Sequence, residues 1–157
     1  MNTPRTISRR AFTLIEAITV IIIIALTVPP AVMFLDASAQ RREDAVQAQR
    51  AATLGEGVME FVLADVASDQ PGLGFAALSN MPAYRLNLAS RITSLTSSYT
   101  PLGFTYRVDA SGLVSSSGSA TGDPQRDIFR VITVTINAPR ANGTPIDIRF
   151  STMVGDL

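Results

Sequence analysis

The chain contains no cysteine, histidine or tryptophan, and its 13 basic residues are all arginine. Without thiols there is neither a disulfide nor a thiolate nucleophile. Without histidine there is no imidazole base and no Cys/His zinc site, and without lysine no Schiff base. Any metal would have to be held by oxygen alone, which means calcium or magnesium, and neither a metal nor a cofactor is expected. Charged residues make up only 17% of the chain, and the 13 acids balance the 13 arginines. The balance is uneven along the sequence. Arg5, Arg9 and Arg10 stand at the start with no acid among them, and beyond residue 11 the 13 acids face ten arginines, a net of −3. No basic stripe remains to bind nucleic acid.

Apolar residues, by contrast, form 46% of the 157 residues, and they are clustered. A length of 157 residues excludes a multidomain enzyme and fits a small domain with an anchor. Residues 12–35, FTLIEAITVIIIIALTVPPAVMFL, carry a single charge, Glu16. As a helix this run reaches about 36 Å, enough for a bilayer core of about 30 Å. Arg9 and Arg10 precede it directly, whereas Asp36, Arg41, Arg42, Glu43 and Asp44 follow it with mixed sign. The excess of positive charge predicts a cytoplasmic N-terminus, with everything after residue 35 on the far side.

Residues 36–70 lack proline and are rich in Ala, Gln, Arg and Glu, so they read as the same helix continuing out of the membrane. Leu54, Val58, Phe61, Val62 and Val66 form one apolar face that requires a cover. Gly55 and Gly57 weaken that helix by about 1 kcal/mol each relative to alanine. Asp65 falls inside the stripe, so either it finds an arginine or the helix ends earlier. Pro71 and Gly72 are the stop signal.

Residues 72–100 carry turn signals and a stretch compatible with either helix or strand, and are left open. Beyond them the period becomes two. Gly103–Val108 and Leu113–Ser116 flank Asp109-Ala110-Ser111-Gly112 as a hairpin. Asp127–Ala138 reads as a strand with Ile128, Ile132, Val134 and Ile136 on one side and Arg130 at its rim. Ile146–Val154 reads as its antiparallel partner, joined through Asn142-Gly143. The apolar helix stripe and the one-sided sheet complement each other, so the fold class expected is α+β, a long N-terminal helix packed on a small antiparallel sheet. The division is 1–11, a cytoplasmic leader; 12–35, the membrane segment; 36–70, the amphipathic helix; and 71–157, the globular β domain.

Glu16 is the feature that carries most chemistry. An acid at the bilayer centre costs about 2.5–3.5 kcal/mol, less near the end, and requires a partner. The nearby cations are Arg9, Arg10 and the amine that a cut before Phe12 would create. The string Arg9-Arg10-Ala11-Phe12-Thr13-Leu14-Ile15-Glu16, followed by an aliphatic run, resembles the class III leader of type IV pilins and type II secretion pseudopilins. The match covers residues 9–35. It departs from the family at Ala11, where glycine is usual, and at Pro29-Pro30, where a single later proline is more common.

The resemblance implies cleavage between Ala11 and Phe12 by a membrane prepilin peptidase, N-methylation of Phe12, and pairing of Glu16 with the N-terminal ammonium of a neighbouring subunit. It also implies a pilin-like fold and a single pass through a bacterial inner membrane, with the C-terminal domain periplasmic. The partners implied are other pilin or pseudopilin subunits, an inner-membrane assembly platform and lipid. Pro29 and Pro30 remove two backbone donors and predict a kink or local melting. The absence of cysteine and the compact sheet point to a minor pseudopilin of a type II secretion system, with a minor pilin of a type IV pilus as the alternative. No enzymatic activity is expected.

A rival reading takes Ser8-Arg9-Arg10-Ala11-Phe12 as a twin-arginine export signal, with Ala37-Ser38-Ala39 as a peptidase site releasing a soluble domain from near Gln40. The apolar run is longer than such signals carry, and an ordinary signal core avoids an acid like Glu16. Weaker features have simpler explanations. Glu56 and Glu60 lie opposite the apolar stripe as a solvated surface. Gly72-x-Gly74-x-x-Ala77 follows no strand and is not a dinucleotide loop. Asp123 and Asp127 bracket a loop with too few oxygen ligands for the calcium that the family's major pseudopilin holds. Asn142-Gly143-Thr144 fits a glycosylation sequon, but a hairpin turn accounts for it.

Overall fold

The computed structural model describes residues 13–140 and 143–155. In chain order these form α1 (Leu14–Val66), α2 (Met81–Arg91), α3 (Thr93–Thr96), β1 (Thr105–Ala110), β2 (Phe129–Ala138) and β3 (Ile146–Gly155), with short 3-10 turns at Phe75–Ser79 and Thr100–Leu102. The chain divides into two compact units, one up to Arg41 and one from Arg42 onward. Helix α1, 53 residues long, contributes to both.

In the second unit a three-stranded antiparallel sheet has the order β1-β2-β3. Strand β2 is central because it alone alternates cleanly between buried and half-buried residues. Ile132, Val134, Ile136 and Ala138 are buried, and their inward row faces Ala51, Leu54, Val58 and Val62 of α1 in one core. The expected packing of sheet on helix is therefore present. The register places Ile136 opposite both Tyr106 and Ile148, and Val134 opposite both Val108 and Phe150. Strand β3 alternates as expected, with Ile146, Ile148, Phe150 and Thr152 half-buried and Asp147, Arg149 and Ser151 exposed.

The two helix glycines have a packing role. A Cβ on Gly55 would overlap the ring of Phe150, and one on Gly57 would lie 3.1 Å from a methyl of Leu95. Gly55 thus lets β3 approach α1 at the level of Phe150, which offsets part of its cost in helix propensity.

Residues 72–100, which the sequence leaves open, are helical over much of their length: Asn80 caps α2 by accepting from the Ala83 N–H at 3.4 Å, and Pro82 sits in the first turn. That helix buries Tyr84 and Leu88 in the core. The expected hairpin at Asp109–Gly112 does not form. Asp109 and Ala110 belong to β1 and pair with Thr133 and Ile132, while of the second proposed arm only Val114 bridges to Phe129. The turn signal is used differently: the Ser111 N–H donates to Val131 O, and the Ser111 hydroxyl accepts from the Val131 N–H, so a side chain replaces a ladder carbonyl where the strand ends.

Ile128 precedes β2 and is 49% exposed, outside the inward row. Arg130 does lie at the rim, its guanidinium 5.5 Å from the centre of the Phe75 ring. Phe61 is exposed rather than in the helix stripe, and α1 ends at Val66, four residues before the expected limit.

Candidate functional site

The N-terminal unit is one helix whose apolar surface is uncovered. Its most apolar window has a mean hydropathy of 2.6 and no buried residue, so the helix is long and apolar enough to cross a membrane. Fourteen large apolar side chains between Leu14 and Leu35 are exposed, Leu14 at 80% and Met33 at 73% among them. Each gains about 1.5–3 kcal/mol on leaving water.

The polar groups of this stretch are few. The Thr19 hydroxyl donates to Ile15 O and the Thr27 hydroxyl to Ile23 O, both at 2.8 Å, so neither needs an outside partner. Pro29 and Pro30 lie within the helical span of α1, without the local melting that two prolines allow. Lacking N–H groups, they leave the carbonyls four residues back, of Ala25 and Leu26, without their helical donors.

Glu16 sits exposed in the first turn of α1. Its backbone N–H donates to the Thr13 hydroxyl at 3.3 Å, and the Ala17 N–H donates to Thr13 O at 3.1 Å. Thr13 is therefore the N-cap, and Thr13-x-x-Glu16 has the spacing of a capping box. This role was readable in the sequence and was missed. The positive end of the helix dipole also favours an acid here, by about 0.3–1 kcal/mol. Among the described residues the Glu16 carboxylate has no arginine within ion-pair distance. The sequence-derived partners Arg9 and Arg10, and the junction Ala11–Phe12, lie outside the described residues.

The second unit holds a buried ionic cluster at the end of α1. Asp65, 4% exposed, accepts from both terminal nitrogens of Arg91 and, at 2.8 Å, from the Tyr84 hydroxyl. Its backbone oxygen also accepts from the Ser68 and Gly74 N–H groups, at 3.1 and 2.9 Å. Burial, reinforced by Asp65, pushes the Tyr84 phenol far above its ordinary range. The hydrogen bond to Asp65 likewise raises Arg91. Asp65 was expected to need an arginine, and it has one; the identity of that arginine lay in the segment left open. The cluster ties the end of α1 to α2.

A second polar assembly stands on the outer sheet face. Arg107 donates to Asp109 at 2.8 and 3.1 Å, and Arg85 shares the same carboxylate. In the loop before β2, Asp127 accepts from the Thr121 N–H and hydroxyl and from the Gly122 N–H, each at 2.8 Å at its shortest. Desolvation alone would raise this carboxyl, but those three donors outweigh it and hold it below the usual range. The Asp123–Asp127 loop thus closes on its own amides. Among the described residues no three acids gather to hold a metal. Asn142 of the sequon lies outside the described residues. Comparison of the chain with models of protein families, with curated proteins and with solved structures returned no match.

Proposed function

We propose that this chain is a structural subunit of a bacterial pseudopilus or pilus, in the first place a minor pseudopilin of a type II secretion system. On this reading a prepilin peptidase cuts between Ala11 and Phe12 and methylates the new amine. The helix from Phe12 then holds the subunit in the inner membrane, with residues 36–157 in the periplasm, and Glu16 pairs with the Phe12 amine of a neighbour as the filament grows. The observation that carries the reading is the exposed Glu16 in the first turn of an apolar helix whose other side-chain hydroxyls are satisfied internally. An acid and an amine that are each costly in lipid become less costly together, which favours adding a subunit in one register. The chain has no active site of its own on this account; motion would come from a cytoplasmic ATPase acting through the assembly platform.

Mass spectrometry of the membrane fraction tests the processing step. The expected species begins at an N-methylated Phe12. A soluble species beginning near Gln40 would establish the twin-arginine reading instead. The minor pilin of a type IV pilus shares every feature used here, and neighbouring genes distinguish it. The Thr13 cap supports one further reading, an uncut membrane anchor in which Thr13-x-x-Glu16 only starts the helix. That protein would keep Met1.

A further inference from the structure

The two free edges of the sheet are not equivalent. The Ser111–Val131 hydrogen bond fixes the parity of the ladder: odd-numbered residues of β2 bond towards β1, so even-numbered ones bond towards β3. On β1 the outward backbone groups are those of Tyr106, Val108 and Ala110, and the Val108 carbonyl is covered by the Arg85 Nε at 2.6 Å. On β3 the outward groups are those of Asp147, Arg149, Ser151 and Met153. This strand pairs with β2 over its full ten residues, contains no proline, and carries its charges only at Asp147 and Arg149. The half from Phe150 to Val154 has none of the devices that usually protect an edge.

Beside that half lies a groove of about 350 Å3 between α1 and β3. Met59, Leu63 and Phe150 supply apolar lining, Ser151 and Thr152 the strand side, and Glu56 and Glu60 a pair of exposed carboxylates. The two glutamates are one helical turn apart and repel one another. Neither meets an arginine within ion-pair distance among the described residues. Their separation along α1, about 6 Å, is close to the spacing of about 6.7 Å between alternate residues of a strand.

We infer that the β3 edge at Ser151 and Met153 takes up an extended polypeptide segment of a partner protein, paired as a fourth strand, whose alternate cationic side chains meet Glu56 and Glu60 while its backbone bonds to the edge. Charge complementarity selects a cationic occupant, and the free backbone donors and acceptors select an extended one. The inference does not depend on cleavage at Ala11 or on filament assembly.

The probe is an eight-residue peptide of repeating Lys-Val, titrated into the full chain in detergent micelles and followed by fluorescence anisotropy, with repeating Glu-Val as control. Saturable binding of the lysine peptide alone is expected. Ser151→Pro removes an outward donor without touching a bond to β2 and abolishes binding. Glu56→Gln with Glu60→Gln weakens binding about tenfold, as two exposed ion pairs allow. A lysine peptide N-methylated on the amides of one edge leaves the protein unaltered and also loses binding. Equal binding of the glutamate peptide, of the methylated peptide, or by the doubly neutralised chain overturns the proposal. So does self-association of the wild type that Ser151→Pro abolishes, since the occupant would then be a second copy.

Discussion

Replacing Gly55 with alanine should destabilise the second compact unit, against the usual effect of that substitution in a helix. In an exposed helix interior Gly→Ala gains about 1 kcal/mol. Here the new methyl would fall inside the edge of the Phe150 ring, with even Cζ only 2.9 Å away. Overpacking of that kind costs about 1–3 kcal/mol, because either the ring leaves its rotamer or β3 moves away from α1. The second glycine provides the internal control. At Gly57 the nearest atom is Leu95 Cδ2 at 3.1 Å, the end of a side chain that can turn aside, so Gly57→Ala should be neutral or stabilising by up to about 1 kcal/mol. Urea unfolding of both variants, followed by circular dichroism, should show a lowered midpoint for Gly55→Ala and an unchanged or raised one for Gly57→Ala, with unchanged slopes. Combining Gly55→Ala with Phe150→Leu should recover part of the loss, a coupling of about 0.5–3 kcal/mol. A stabilising Gly55→Ala, or a double mutant whose losses simply add, would show that Phe150 does not sit against α1.

The remaining expectations concern polar groups. Asp65→Ala strands the Arg91 guanidinium and the Tyr84 hydroxyl; the loss should lie near the lower end of the about 3–5 kcal/mol typical of a broken buried pair, since Arg91 keeps 31% of its side chain exposed. Adding Arg91→Leu should restore stability, and continued loss in the double variant would argue against the pair. Tyr84→Phe removes one hydrogen bond and should cost about 1 kcal/mol; a value near zero in thermal unfolding would count against its bond to Asp65. Because the native Asp127 carboxyl is held below its unfolded value of about 3.9, its contribution is complete above that pH and disappears as pH falls through the native value. Asp127→Asn should therefore flatten the acid limb of the stability profile below about pH 4, and an unchanged limb would contradict the clasp. On the proposed pilin-like reading, Glu16→Ala should leave cleavage before Phe12 largely intact and impair incorporation into filaments. Normal incorporation would remove the assembly role given to Glu16.

What was legible in the sequence was what repeats. The alternation at Ile132, Val134 and Ile136 and at Ile146, Ile148 and Phe150 identified β2 and β3 and their pairing, because each residue faces one way for a reason visible in its neighbours. The apolar run to Leu35 likewise needed no tertiary information. Asp65 was legible as a problem but not as a solution, since its partners Tyr84 and Arg91 lie 19 and 26 residues along the chain. The Asp109–Gly112 turn misled for a related reason: turn residues end a strand as readily as they reverse one, and only the distant Val131 decides which. Gly55 looked like a flaw in a helix until Phe150, 95 positions away, explained it. For Glu16 the spacing to Thr13 is legible as a cap, and it engages the backbone N–H, whereas the bilayer cost falls on the carboxylate.

That distinction bears on the two anchor readings. The cap bond observed at the start of α1 runs from the Glu16 backbone N–H to the Thr13 hydroxyl, so it uses Glu16 only through its main chain. It explains why a threonine stands at position 13, and any residue but proline at 16 would serve it. The carboxylate is left with the helix dipole, worth about 0.3–1 kcal/mol, against an insertion cost that approaches about 2.5–3.5 kcal/mol with depth. An uncut anchor could therefore keep its cap with alanine or glutamine at 16 and lose nothing in the bilayer, whereas a helix that recruits an amine needs the charge itself.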